Sequence, residues 1–140
     1  MIVVDASAIV AMCLDERELL GDDQTFESLG EQELLVPAHW HAEVGNAFVT
    51  NIRRGRLTST RLAYAMENLS VLRIATQSAP RTGEIEAIVN SAVKAGLTYY
   101  DELYVRLAEI EGVPLFSFDK RMRTAAEQRG IVVLPARSSA

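Results

Sequence analysis

The chain has 140 residues, 49% of them hydrophobic and 24% charged, with a single cysteine. That is the size of one compact domain, able to bury about two-thirds of its unfolded surface without disulfides, and it excludes a multidomain machine. Fourteen Lys and Arg against nineteen Asp and Glu leave a formal charge of -5, which excludes a protein that grips nucleic acid through bulk positive charge; any such contact must be local. Cys13 has no partner for an internal disulfide and no second thiol for a zinc-type spacing, so a reducing compartment, the cytoplasm, is the expected location. The apolar opening from Met1 to Leu14 contains Asp5, lacks a basic n-region and is too short to span a bilayer, so neither a membrane segment nor a targeting segment is expected.

Ile2-Val3-Val4 is a β-branched run bounded by Asp5 and followed by the apolar stretch from Ser7 to Met12, a buried strand turning into a helix. Leu34-Leu35-Val36, closed by Pro37, reads as a second strand. Trp40, Val44, Ala47, Phe48 and Ile52 recur at helical spacing up to about Arg54, with Gly55 as the stop. A further helix is expected from Thr58 to Leu69, a strand over Val71 to Ile74, and a helix from Gly83 to Ala95. Gly96 ends that helix and Thr98 opens the next, whose stripe of Tyr100, Leu103, Tyr104, Leu107 and Ala108 runs to Gly112. Val113 to Phe118 gives a fourth strand, Asp119 to Arg129 a short helix stopped by Gly130, and Ile131 to Leu134 a fifth strand. Strands that are nearly continuous apolar runs, alternating with helices, imply an α/β fold with a parallel sheet covered on both faces. One domain over residues 1–135 is expected, with 136–140 as a frayed tail.

In an open α/β sheet, ligands bind beyond the carboxyl ends of the strands. The residues there are acidic. Asp5 follows the first strand and Asp119 the fourth; Glu43 lies in the first turn after the second strand, within the apolar stripe; Asp101 occupies the first turn of a later helix. Each has an ordinary structural explanation: Asp5 and Asp119 as N-caps, Thr98 and Asp101 as a capping box, Glu43 as a complement to the helix dipole. Four together are harder to explain that way. Carboxylates roughly 5 Å apart at an effective dielectric near 20 repel by about 3 kcal/mol per pair, so a cleft that gathers them needs a cation. Oxygen donors suit a hard divalent ion, and such an ion polarises a phosphoryl oxygen, lowers the pKa of water and stabilises a leaving oxygen, the chemistry of phosphodiester hydrolysis.

These residues resemble the PIN-domain nucleases, and especially the VapC-type toxins of toxin-antitoxin pairs. The resemblance spans nearly the whole chain: Ile2-Val3-Val4-Asp5-Ala6-Ser7-Ala8, then Pro37 through Trp40 to Glu43-Val44 and Asn46, then Thr98-Tyr99-Tyr100-Asp101, then Leu115-Phe116-Ser117-Phe118-Asp119. It implies a three-layer fold with a central five-stranded parallel sheet flanked by helices. It also implies that Asp5, Glu43, Asp101 and Asp119 hold Mg²⁺ or Mn²⁺ and carry metal-dependent endoribonuclease activity. Ser7 looks like the small hydroxyl residue beside the first acid. The implied partners are an RNA substrate, a small antitoxin that blocks the cleft with a basic side chain, and a second copy of the chain in a homodimer or a higher assembly with antitoxin.

Two positions depart from the family pattern. Ser117 stands where Thr is common and keeps the hydroxyl; Glu102 stands where a small residue is commoner and is expected to face water at the helix start. Asn46, one turn after Glu43, is a candidate second-layer group or a solvated residue. Substrate contacts are expected from Arg53, Arg54, Arg56 and Arg61, or from Arg121 and Arg123 behind Asp119, with a solvated basic face as the equal alternative.

Other candidates are weaker. His39 and His41 are two apart and do not share a helix face, which disfavours a metal pair. Cys13, among Ile9, Val10, Met12 and Leu14, reads as a small buried hydrophobe. No glycine-rich phosphate-binding pattern occurs. The rival readings are a non-catalytic RNA- or protein-binding domain whose acids are only caps, and a structure-specific DNA nuclease, for which the short chain leaves little room for a duplex clamp.

Overall fold

A run of three β-branched residues suits the pleated, buried surface of a sheet, and Ile2–Val4 form the central strand, β1, with all three side chains buried. A computed structural model of the chain describes residues 1–14 and 23–136. In chain order after β1 come α1 (Ala6–Cys13), α2 (Asp23–Gly30), β2 (Glu33–Val36), α3 (Trp40–Arg53), α4 (Ser59–Ser70) and β3 (Arg73–Thr76). A 3-10 turn (Thr82–Glu84) then leads into α5 (Ile85–Ala95) and α6 (Tyr99–Glu111), followed by β4 (Leu115–Phe116), α7 (Lys120–Gln128) and β5 (Val133–Leu134). The expected tail lies, from residue 137 on, outside the described residues.

The five strands run parallel in the order β3-β2-β1-β4-β5. From β1 the chain winds outward to β2 and β3, then crosses to the other side of β1 for β4 and β5. The winding direction therefore reverses between β1 and β4, and a crevice opens at the carboxyl ends of those two strands. Helices cover the sheet: α1 packs on α3 and α4, while α6 packs on β1, β4, α5 and α7. The core includes Ile2, Val3, Val4, Ile9, Leu34, Val36, Trp40, Tyr104 and Leu115. Cys13 is buried there, as its neighbours predict, and burial pushes its thiol up to about 11. Among the described residues no helix is long and apolar enough to cross a membrane.

Helix boundaries follow local chemistry. Thr58 and Thr98 accept backbone hydrogen bonds from Arg61 and Asp101, and Gly96 and Gly112 close α5 and α6 with φ of 70° and 65°, conformations that a side chain would strain. Two elements differ from the sequence pattern. Helix α2 is mostly polar and has no clear stripe, though Leu29 is buried beneath it. Strand β3 begins two residues later than the apolar run, because α4 extends to Ser70 and takes the exposed Val71 as its cap.

Glu102 corrects an expectation. It does not face water: its side chain is 1% exposed and receives two hydrogen bonds from Arg129, at 2.8 and 2.7 Å. This paired fork ties the start of α6 to the end of α7. Replacing Arg129 with Ala strands a buried carboxylate, and a urea titration should show stability lowered by about 3–5 kcal/mol. Changing both partners to Leu should recover most of that loss. A single-variant loss below about 1 kcal/mol would mean that water reaches Glu102.

Candidate functional site

Parallel strands all end on the same edge of the sheet, so residues that follow β1, β2 and β4 converge there. Asp5 leaves β1 and is the N-cap of α1, its Oδ1 accepting from the Ser7 amide at 3.3 Å. Asp119 leaves β4 and is the N-cap of α7, its Oδ1 accepting from the Met122 amide at 2.8 Å. Ser117 joins them: its hydroxyl donates to Asp5 Oδ2 at 3.0 Å and accepts from the Asp119 amide at 3.1 Å. Glu43 comes from the first turn of α3 and accepts a 2.6 Å hydrogen bond on Oε1 from the Tyr104 hydroxyl. Tyr104 stands one turn after Asp101 on α6, so one helix supplies a carboxylate and fixes another.

The carboxyls sense one another. Asp5 is 5% exposed, and burial, outweighing its bonds from Ser117 and Ser7, pushes its pKa up to about 6, with Glu43 and Asp101 adding repulsion. Asp101 is also raised, by partial burial first and then by Asp119 and Glu43. Glu43 moves the other way. Its partial burial alone would raise it, but His39 and Tyr104 hold it below the ordinary value. His39 Nε2 lies 3.1 Å from Glu43 Oε1, a close electrostatic contact rather than an aligned hydrogen bond. Burial and the Glu43 charge raise the Tyr104 phenol, so it remains a donor at any physiological pH.

Among the described residues no three His, Cys, Asp or Glu side chains close on one point as a finished ligand set. The four acids stand as neighbours within electrostatic reach, as like charges do. All offer hard oxygen donors, and the strain recorded at Asp5 and Asp101 is of the sign that a divalent cation relieves. In chemical type, though not yet in closure on one point, these donors suit a hard divalent ion such as Mg²⁺ or Mn²⁺.

The remaining candidates separate cleanly. Ser7 is exposed and contributes its amide rather than a hydroxyl contact, and Asn46 is exposed on α3. Arg121 is exposed in the first turn of α7, close behind Asp119. Arg123 is not a substrate group: it is buried and donates to the carbonyls of Ser117 (2.8 Å) and Pro135 (2.7 Å), pinning the turn after β4. Arg53, Arg54 and Arg56 are exposed but lie at the far end of α3, about 15 Å or more along the helix axis from Glu43. Arg61 donates to the Leu14 carbonyl at 3.2 Å. His39 and His41 part, as their spacing predicts: His41 Nε2 meets Thr76 Oγ1 at 2.9 Å. The roles of His39 and Tyr104 at Glu43 were missed in the sequence pattern, although the i,i+4 spacing of His39 and Glu43 was there to be read.

A family model described as PIN domain matches residues 2–128. VapC ribonuclease Mb0985 of Mycobacterium bovis and ribonuclease VapC9 of Mycobacterium tuberculosis are each 32% identical over 136 residues, covering 96% of this chain and 99% of theirs. Ribonuclease VapC3 of Pyrobaculum aerophilum is 30% identical over 134 residues, covering 96% and 98%. Among solved structures, PAE2754 from Pyrobaculum aerophilum matches with a TM-score of 0.68 over 95% of this chain and 83% of its own, at 24% identity, a likeness of fold.

The raised carboxyl predicts a pH signature. The folded pKa of Asp5, about 6, exceeds its ordinary 3.8, so the native state holds the extra proton between those values. Stability should fall as pH rises from about 4 to about 6, with Asp5 contributing about 3 kcal/mol of that loss. Asp5→Asn removes the contribution: in EDTA its stability relative to the parent should grow across that window and level off above it. Urea titrations from pH 4 to 8 check this, and a difference independent of pH would contradict it.

Proposed function

Since the chain belongs to the PIN-domain family, and within it to the VapC-type members, we propose that it is a divalent-metal-dependent endoribonuclease and the toxin of a toxin-antitoxin pair. One observation carries the reading most directly: the carboxylates that follow β1 and β4 and those in the first turns of α3 and α6 stand within electrostatic reach of one another where the sheet reverses direction, and burial there, with their mutual repulsion as the smaller part, raises the pKa of two of them. The names of the relatives support RNA as the substrate.

Asp5, Glu43, Asp101 and Asp119 would hold Mg²⁺ or Mn²⁺. Bound there, the ion supplies positive charge to a phosphoryl oxygen and lowers the pKa of water. The protein's own groups set the stage. Ser117 orients Asp5 through Oδ2, and Tyr104 with His39 fixes Glu43 through Oε1, leaving its second oxygen for the ion. Arg121 is the cation placed to meet a phosphate beside Asp119. Cleavage with the 3′-oxygen as leaving group gives 5′-phosphate and 3′-hydroxyl ends. An antitoxin blocks the cleft by bringing a basic group to the same carboxylates. The exposed Ile85, Val89 and Val93, four apart on α5, support a homodimer through that face.

The cap bonds of Asp5 and Asp119 fit a non-catalytic domain equally well. Glu43 favours the enzyme, because its carboxylate caps nothing and is held instead by a buried tyrosine of another helix. Incubating the purified protein with single-stranded RNAs should give fragments with Mn²⁺ and none with excess EDTA. Asp5→Asn should lower the rate at least about a hundredfold, beyond the loss typical of groups outside the ligand shell, with folded stability kept or raised. Full activity in that variant would refute the assignment.

A further inference from the structure

A cavity of about 500 Å³ opens next to the carboxylates, between the loop after β2, the loop after β3 and helix α6. Its position follows from the topology. Pro37 and Ala38 leave β2 and Gln77 to Pro80 leave β3 on the same edge of the sheet from which Asp5 and Asp119 leave β1 and β4. The two sites share a wall. His39 lines the cavity and touches Glu43 at 3.1 Å; Tyr100 lines it, stands beside Asp101 in sequence, and has its ring 5.5 Å from that of His39.

The lining is mainly apolar and ring-bearing, with Tyr99, Tyr100, Leu103, Leu107 and the proline rings of Pro37 and Pro80. Its charge differs in sign from that of the whole chain. Arg106 is paired with Glu84 at 3.2 Å, and Arg81 at the exposed rim leaves the lining with a surplus of one positive charge in a chain of net -5. Gln77 and Ser78 add side-chain hydrogen-bonding groups at the rim.

A cluster of carboxylates repels a phosphodiester, so an RNA substrate needs a hold that does not depend on attraction to the acids. The flat, apolar part of single-stranded RNA is the unpaired base, and stacking on aromatic rings is how proteins grip it. A volume of about 500 Å³ falls in the range of a cleft for one small molecule. We propose that this cavity is a base-binding subsite that takes one unstacked nucleobase of single-stranded RNA adjoining the phosphodiester at the carboxylates. In it Tyr100, backed by the His39 ring, offers the ring face, Gln77 and Ser78 face the base edge, and Arg81 meets a flanking phosphate. The proposal rests on the nuclease reading above and names how that site holds its substrate.

The test uses the full chain in EDTA, so that nothing is cut, with fluorescein-labelled single-stranded RNAs of about twelve nucleotides and a set in which each position in turn is abasic. Fluorescence anisotropy gives Kd. At one position the abasic RNA should bind the parent protein about tenfold more weakly, while Tyr100→Ala should bind intact RNA about tenfold more weakly and ignore that same abasic position. Tyr100→Phe, which keeps the ring, should behave as the parent does. Tyr100 is 59% exposed, so its truncation leaves the core alone, and a thermal melt confirms the fold. If parent and Tyr100→Ala lose the same factor at every abasic position while the parent still cleaves RNA in Mn²⁺, the subsite is refuted and the nuclease reading stands. If Tyr100→Ala instead turns a dimer into a monomer by sedimentation, the cavity is an interface between copies, and the subsite is likewise refuted. A parent protein that neither binds nor cleaves any of these RNAs overturns both.

Discussion

Asp5 leaves the central strand at the point where the sheet reverses, buried beneath α1 and within electrostatic reach of Glu43 and Asp101, and its ionised form is therefore costly. The surroundings offset only part of that cost. The Ser7 amide and the Ser117 hydroxyl each donate to it, yet the carboxyl still titrates near 6. A fold seeking only stability would place an apolar residue or an asparagine here. Under the proposed function the retained charge would serve to attract a cation, and the strain is free energy that such an ion would relieve.

The same residues serve the fold and the site, and the division runs atom by atom. Asp119 caps α7 with Oδ1, Ser117 ties Asp5 to the Asp119 backbone, and Tyr104 leaves the core of α6 to hold one oxygen of Glu43. Strand-to-helix junctions need caps, and Asp is a good one. In a doubly wound sheet these junctions lie side by side on one edge, so ordinary capping chemistry delivers carboxylates to a common place. Ser117 and Asp5 are 112 positions apart in sequence and 3.0 Å apart in space, which is why a single hydroxyl can couple two junctions.

Much of this was legible in the residues. The apolar run of Ile2 to Val4, the stripes of α3 and α6 and the glycine stops reflect local periodicity, and the acids after the strands followed from the rule for α/β sheets. What escaped was long-range pairing. Glu102 reads as a water-facing acid because nothing local indicates that Arg129, 27 positions later, folds back onto it; Arg123 reads as a surface cation because its acceptors are backbone carbonyls, which carry no sequence signature. The placement of Arg53, Arg54 and Arg56 has a different reason. Once the sheet is taken as parallel, a helix that begins at the strand ends must finish at the opposite edge, so the far end of α3 lies away from the acids.

That geometry also decides how an acidic chain can handle an anionic polymer. The basic cluster at the end of α3 is too distant to steady a phosphate at Asp5, and Arg61 and Arg123 are engaged with backbone carbonyls. Near the carboxylates the exposed cations among the described residues are few, Lys120 and Arg121 beside Asp119 and Arg81 at the rim of the cavity. Few phosphate contacts mean a shallow dependence of RNA binding on salt, because each contact releases about one counterion. Affinity must then come mainly from surface that ignores charge, and the ring-lined cavity against His39 is the part of this edge with that character. Under the two proposals a division follows in which the carboxylates with a cation would set where the backbone is cut, while apolar contact with the base would set which strands remain long enough to be cut.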